Sequence, residues 1–483
     1  MSNQPDKKSL DARPLPPWFS DAKLGVFIHW GLYSVPAFAE NTDGDFATYM
    51  ADLSSGEDDK AGIPYAEWYL NSLRTPDSAT ARHHLVTYGA DFSYYDFRAE
   101  FEANAAEVDF DEWATLFSTV GAEYVVMVTR HLDGYPLWPT TVPNPKMPPG
   151  FHSPRDLVGD LSSAVRRRGL RMGLYYAGGI DWTFTDQPIE TMTDLLEQSS
   201  LGPEYAAYVA AQWRELVNRY QPSVLWNDMG MPEEIDPHQL FADYYAAVPD
   251  GVVNDRWEQV DLPDNSFGRE VYLDVLGFAL RMMHRFGKKV PVRKPEIHSD
   301  FRTHEYTVPE NPPAARWELT RGLGESFGFN AAETAADLLS GPELVRLFAD
   351  VLGRGGNLLI NVGPDGSGRI PEVQQRPLLE LGTWLRANRA AVYGTEPLPG
   401  APAETSDGVP VRFTRRGDDI FAIVLADEVA GRVVFPNITP VGGSRAHVLA
   451  SETEIPWRVS GSDVEVELPP LDGSPAHVVA FTV

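Results

Sequence analysis

The chain has 483 residues, of which 43% are hydrophobic and 23% charged, the proportions of a folded globular protein, and it is long enough for a large domain plus a smaller one. A formal charge of -29 argues against polyanion partners, because nucleic-acid binding relies on clustered Lys and Arg that release counterions. With no Cys, disulfides, thiolate nucleophiles and Cys-ligated metals are excluded.

Residues 1–16 are polar and contain Pro, so a flexible lead-in is expected. They include no apolar run of signal-peptide type, and no later stretch is long and uncharged enough to span a bilayer. A cytoplasmic location without membrane attachment is the simplest expectation. Residues 23–31 read as a buried strand ending in His29 and Trp30, and the acidic segment 44–60 as a loop. Trp113, Leu116, Phe117 and Val120 recur at offsets of three, four and seven, which predicts a helix over 111–120. A strand over 123–131, a helix over 156–168 and a strand over 170–177 follow. The helix over 204–220 carries the longest helical stripe, from Tyr205 to Tyr220. It feeds the apolar strand of residues 221–230, which delivers Asp228 at its end. A helix over 238–248 and a short strand over 251–257 complete at least four βα repeats. Such repeats imply right-handed crossovers and a parallel sheet, here closed into an α/β barrel of (β/α)8-like, TIM type.

Residues 258–299 break the rhythm as an insertion, with a helix expected over 275–286. The basic patch 285–294 reads as a solvated face or lid rather than a nucleic-acid site. Strands near 300–306, 317–321 and 357–364 and helices over 342–353 and 371–388 follow. The glycines of 353–356 form a turn, because no Lys-Ser/Thr pair follows them as in a phosphate loop. The catalytic domain is thus placed at 17–394. From 395 to 483, short alternating runs separated by turn residues at roughly ten-residue spacing mark a C-terminal antiparallel β-sandwich.

Barrels of this type carry their chemistry at the C-terminal ends of the strands. Taken alone, Asp228 reads equally well as the N-cap of the following helix. The strand-end aromatic residues read equally well as core, which is also the alternative reading of the strand-end His. His29, His131 and Asp133 raise a metal centre, but they lack His-x-His or His-Glu-x-x-His spacing, so no metal or other cofactor is expected.

Together the strand ends form a pattern. Phe27-Ile-His-Trp-Gly31, Glu67-Trp68-Tyr69, the loop from Thr129 to Tyr135, Gly173-Leu-Tyr-Tyr176, Leu225-Trp-Asn-Asp228, Asn254-Asp-Arg-Trp257, Thr303-His-Glu-Tyr306, Trp317-Glu318 and Ser326-Phe-Gly-Phe-Asn330 occur in order. In this the chain resembles the α-L-fucosidases of glycoside hydrolase family 29. The resemblance implies a retaining exo-hydrolase that releases terminal α-L-fucose from a fucosylated oligosaccharide or glycoconjugate through a covalent glycosyl-enzyme intermediate. It assigns Asp228 as nucleophile and Glu305 as acid/base. It assigns His29, Glu67, Trp68, His131, Tyr175, Trp226, Arg256 and Phe327 as sugar contacts, with Phe27, Trp226 and Phe327 lining a slot for the C6 methyl group.

Two departures stand out. Leu132 follows His131 where the family has a second His, which leaves open a related sugar such as an α-L-galactoside. The insertion could supply a lid or a homo-oligomer contact, and it brings Glu270 and Glu296 into question as alternatives to Glu305. A sugar-binding barrel without hydrolysis is the reading of another class.

Overall fold

A computed structural model of the chain describes residues 5–41, 63–260, 262–263, 265–285 and 297–483. Its centre is an eight-stranded parallel sheet: β1 (Leu24–Ile28), β2 (Tyr124–Arg130), β3 (Arg171–Ala177), β4 (Val224–Asp228), β5 (Val252–Val253), β6 (Arg302–Glu305), β7 (Trp317–Gly322) and β8 (Gly356–Val362). The order β5-β4-β3-β2-β1-β8-β7-β6 curls the sheet into the expected barrel type. β1, β2 and β8 are buried along their whole length, as in a sheet covered on both faces. The link from β6 to β7 carries no helix.

The curl is completed without a β-ladder between β5 and β6. Side chains and a backbone hydrogen bond bridge this seam instead. Asp300 Oδ2 accepts from the backbone N–H of Val253 at 2.8 Å, and the Asp300 N–H donates to the Val253 carbonyl at 2.9 Å. Higher up, Asp255 Oδ1 accepts from the Thr303 N–H at 2.9 Å and its hydroxyl at 2.7 Å. The expected strand 251–257 shrinks to two residues because Asn254 pairs through its side chain, accepting from the Asn227 N–H and donating to the Asn227 carbonyl.

Sequence punctuation sets the helices. Asp109 caps Phe110–Val120 and Gly121 ends it at φ 92°, while Ser340 and Glu343 form a capping box for Gly341–Gly353. Two expectations change. The lead-in contains a helix, Lys7–Asp11, closed by a capping box between Asp6 and Ser9, with Leu10 buried. Just beyond it, Arg13 donates to the carbonyls of Pro249 and Gly251 and to Asp300, so this segment seals the foot of the seam. The insertion helix runs Ser266–Arg285, beginning nine residues before the expected start. Its apolar residues Phe267, Val271, Val275 and Phe278 share one face at helical spacing and are exposed, while Leu273 packs inward. The acidic segment 44–60, Glu296 and most of the basic patch lie outside the described residues.

The C-terminal part forms a six-stranded antiparallel sheet facing a three-stranded one. Its strand Asp419–Val424 alternates sides: Phe421 and Ile423 join the barrel core, and Ile420, Ala422 and Val424 the sandwich core. Among the described residues, no helix is long and apolar enough to cross a membrane.

Candidate active site

A cavity of about 310 Å³ opens at the C-terminal ends of the barrel strands. It gathers Phe27, His29, Glu67, Trp68, His131, Tyr175, Trp226, Asp228, Arg256, Glu305 and Phe327, all eleven residues singled out from the sequence. Asp228 and Glu305 are each the last residue of their strands, β4 and β6. In each case the next residue turns left-handed although it is not glycine: Met229 at φ 62° and Tyr306 at φ 56°. Such backbone costs of order 1–3 kcal/mol and persists only where the surroundings impose it. After β4 the surroundings include Gly178 and Gly179, where a Cβ would lie 2.3 Å from Asn227 Oδ1 and 1.9 Å from the Met229 carbonyl oxygen, respectively.

Arg256 ties the two carboxyl groups together. Its Nη1 donates to Asp228 Oδ1 at 3.0 Å and its Nη2 to Glu305 Oε2 at 2.7 Å, while Nε donates to Thr303 Oγ1. Asp228 Oδ2 accepts from the Tyr175 hydroxyl at 2.8 Å. Burial works against the charge of Arg256, but Glu305 and Asp228 outweigh it and hold the guanidinium protonated. Glu305 is pushed upward from the ordinary carboxyl range by burial and by the Asp228 charge, against the opposing pull of Arg256. The two carboxyl groups thus have different surroundings on one guanidinium. Glu270 lies exposed on the insertion helix and does not line the cavity.

The remaining polar groups are fixed from behind. Asn361 donates through Nδ2 to the Phe327 carbonyl at 2.6 Å, so its Oδ1 accepts from His29 Nδ1 at 2.7 Å. Burial depresses His29 to about 4, which keeps the imidazole neutral and leaves Nε2 as an acceptor. His131 is also driven well down by burial, and its ring stacks on Tyr175 at 5.8 Å. Glu67 accepts at Oε2 from the Gly328 N–H at 2.7 Å and from the Ser326 hydroxyl, and burial raises it to about 7. Phe27 lies 5.2 Å from Trp226 and 6.4 Å from Phe327 between ring centroids, giving one end of the cavity an apolar lining.

The family model described as Alpha-L-fucosidase matches residues 1–390. The chain belongs to the alpha-L-fucosidase family. It is 29% identical to the tissue alpha-L-fucosidase of Bos taurus over 97% of this chain and 87% of that one, and 30% identical to the alpha-L-fucosidase of Dictyostelium discoideum over 81% and 74%. The crystal structure of Thermotoga maritima alpha-fucosidase in complex with a mechanism-based inhibitor superposes with a TM-score of 0.81 at 38% identity, covering 99% of this chain and 100% of that chain.

As an alpha-L-fucosidase family member the chain is a glycoside hydrolase with a catalytic barrel and a C-terminal sandwich. Within that frame, Leu132 is buried and its side chain is not among those lining the cavity; its carbonyl accepts from the Trp182 N–H at 2.7 Å. Asp133, considered with His29 and His131 as a metal ligand, accepts from Tyr94 and the Tyr135 N–H and does not line the cavity. Among the described residues no cluster of three or more His, Asp or Glu suits a metal ion. Tyr65, Leu195, Met229 and Thr320 also line the cavity and escaped the sequence reading. Of these, Met229 was legible as the residue next to Asp228, whereas Leu195 comes from the short helix Met192–Gln198, which no strand-end rule locates.

Proposed function

We propose that the protein is a retaining exo-α-L-fucosidase that hydrolyses terminal α-L-fucosyl groups by double displacement. The observation that carries this reading is the single guanidinium of Arg256 shared by Asp228 and Glu305, which holds two carboxyl groups as a close pair in distinct surroundings. Retaining glycosidases need such a pair, about 5–5.5 Å apart, with one member ionised and the other protonated.

In the first step the Asp228 carboxylate attacks the anomeric carbon while the glycosidic oxygen departs with the proton of Glu305. In the second, Glu305 takes a proton from water, the water oxygen bonds to the anomeric carbon and Asp228 is released. His29 Nε2 accepts a sugar hydroxyl hydrogen, and Glu67, Trp68, His131 and Arg256 contact the remaining hydroxyls. Tyr175 orients Asp228. Phe27, Trp226 and Phe327 receive the C6 methyl group, which an apolar surface accommodates without leaving a polar group unpaired.

The test is Asp228→Gly with an aryl α-L-fucoside. Hydrolysis should be abolished, and azide should restore turnover with an inverted product, read by proton NMR. Wild-type turnover in that variant would remove Asp228 from the mechanism.

A further inference from the structure

Beneath the sugar cavity lies a carboxyl group that no step above uses. Glu318, the second residue of β7, is fully buried. Its Oε1 accepts from the indole Nε1 of Trp226 at 3.0 Å, and its Oε2 accepts a short hydrogen bond from the Tyr124 hydroxyl. Tyr124 belongs to β2 and Trp226 to β4, so Glu318 links strands that are not neighbours across the barrel interior. Room for this link comes from Gly25 on β1, where a Cβ would lie 2.4 Å from the Tyr124 ring.

Trp226 in turn supports both donors to Asp228. Its ring stacks against Tyr175 at 5.5 Å and 24°, and the Arg256 guanidinium lies 5.0 Å from its centroid. A buried carboxyl is costly unless its oxygens are satisfied, and here both acceptors are spent on one aromatic platform and its brace. Apolar packing alone would have filled this position without that cost.

We infer that Glu318 is a positioning residue for the reaction: by fixing the Trp226 indole it sets Tyr175 and Arg256, and through them the aim of Asp228. The inference rests on Asp228 being the nucleophile. Misplacement of a reacting group by about 1 Å costs on the order of a hundredfold in rate.

Glu318→Gln keeps the volume of the side chain but offers only one acceptor. It should lower kcat on an aryl α-L-fucoside by about tenfold to a hundredfold, with KM little changed. Trp226→Phe, which has no N–H, should lower activity by itself. Glu318→Gln in the Trp226→Phe background should add no further loss, because the link it breaks is already gone. Multiplying losses in the double variant, or a wild-type kcat for Glu318→Gln, would overturn the inference. If Glu318→Gln lowers Tm enough to obscure the rate, Tyr124→Phe takes its place and its loss should likewise vanish in the Trp226→Phe background. An active Asp228→Gly would defeat the assignment of the nucleophile, while the cycle would still report whether Glu318 acts through Trp226, so the two failures are separable.

Discussion

The Tyr175 hydroxyl donates to Asp228 Oδ2 at 2.8 Å from the neighbouring strand, whose ladder places Tyr175 opposite Trp226. Hydrogen bonds to a charged acceptor contribute about 1.5–3 kcal/mol. Tyr175→Phe should therefore lower kcat/KM by roughly one to two orders of magnitude, with Tm little affected because the ring stacking survives. Steady-state kinetics beside a thermal melt check this.

In the proposed mechanism Glu305 has to be protonated to assist the leaving group. Its upward displacement extends the protonated form to higher pH, so kcat/KM should fall on the alkaline side as pH rises through the Glu305 pKa. Glu305→Ala should lose that alkaline limb on aryl fucosides with good leaving groups, and should lose far more rate on poor ones. Equal losses on both classes would move the acid elsewhere.

Stability should also depend on pH, with a definite sign. Burial raises Glu67, Glu318 and Glu333 each to about 7 in the folded chain. Between the ordinary carboxyl range and pH 7 the folded state then binds more protons than the unfolded state, so stability falls as pH rises across that window. Glu465, pulled down to about 2 by Arg432 and Arg458, adds no slope there. Buried His29 and His131, both held below the ordinary imidazole range, oppose that slope at its acid end, so urea midpoints should decline from about pH 6.5 to 8, and Glu333→Gln, at a residue that does not line the cavity, should flatten the decline.

Asp300 is the clasp of the β5–β6 seam, accepting from Val253, Tyr245 and Arg13 with its side chain 3% exposed. Asp300→Ala leaves those donors without an acceptor and should cost about 3–5 kcal/mol, the range for breaking a buried pair. Denaturant unfolding measures it.

An α-L-galactoside differs from the fucoside by a hydroxyl at C6. The lining of Phe27, Trp226 and Phe327 should disfavour it, but an apolar pocket rejects an added hydroxyl by only about a hundredfold. The ratio of kcat/KM for the two glycosides should lie at or below that, in favour of the fucoside.

The cavity was largely legible because its side chains sit where βα repeats leave their strands, and a strand end is visible in sequence. The support beneath it was not. Glu318 belongs to the Trp317-Glu318 motif but carries no role that the motif assigns, and Tyr124 begins an apolar run and reads as one residue of a core. The signal that was available is a carboxylate between Trp317 and Leu319 in an expected strand, which has to find donors somewhere. The insertion helix was placed late because its apolar stripe faces outward, and periodicity alone cannot separate a buried face from an exposed one. The helix in the lead-in rests on a capping box of two residues, too short a pattern to outweigh the surrounding polarity.

The side-chain seam between β5 and β6 separates the two halves of the chemistry. Asp228 stands on a strand laddered on both sides, five pairs with β3 and two with β5, so its position is dictated by backbone register. Glu305 stands on a strand held by four pairs to β7 on one side and by the Asp300 and Asp255 bridges to β5 on the other. Chain length can therefore grow or shrink between Arg256 and Glu305 without displacing Asp228. The insertion of residues 258–299 is added chain at this one join.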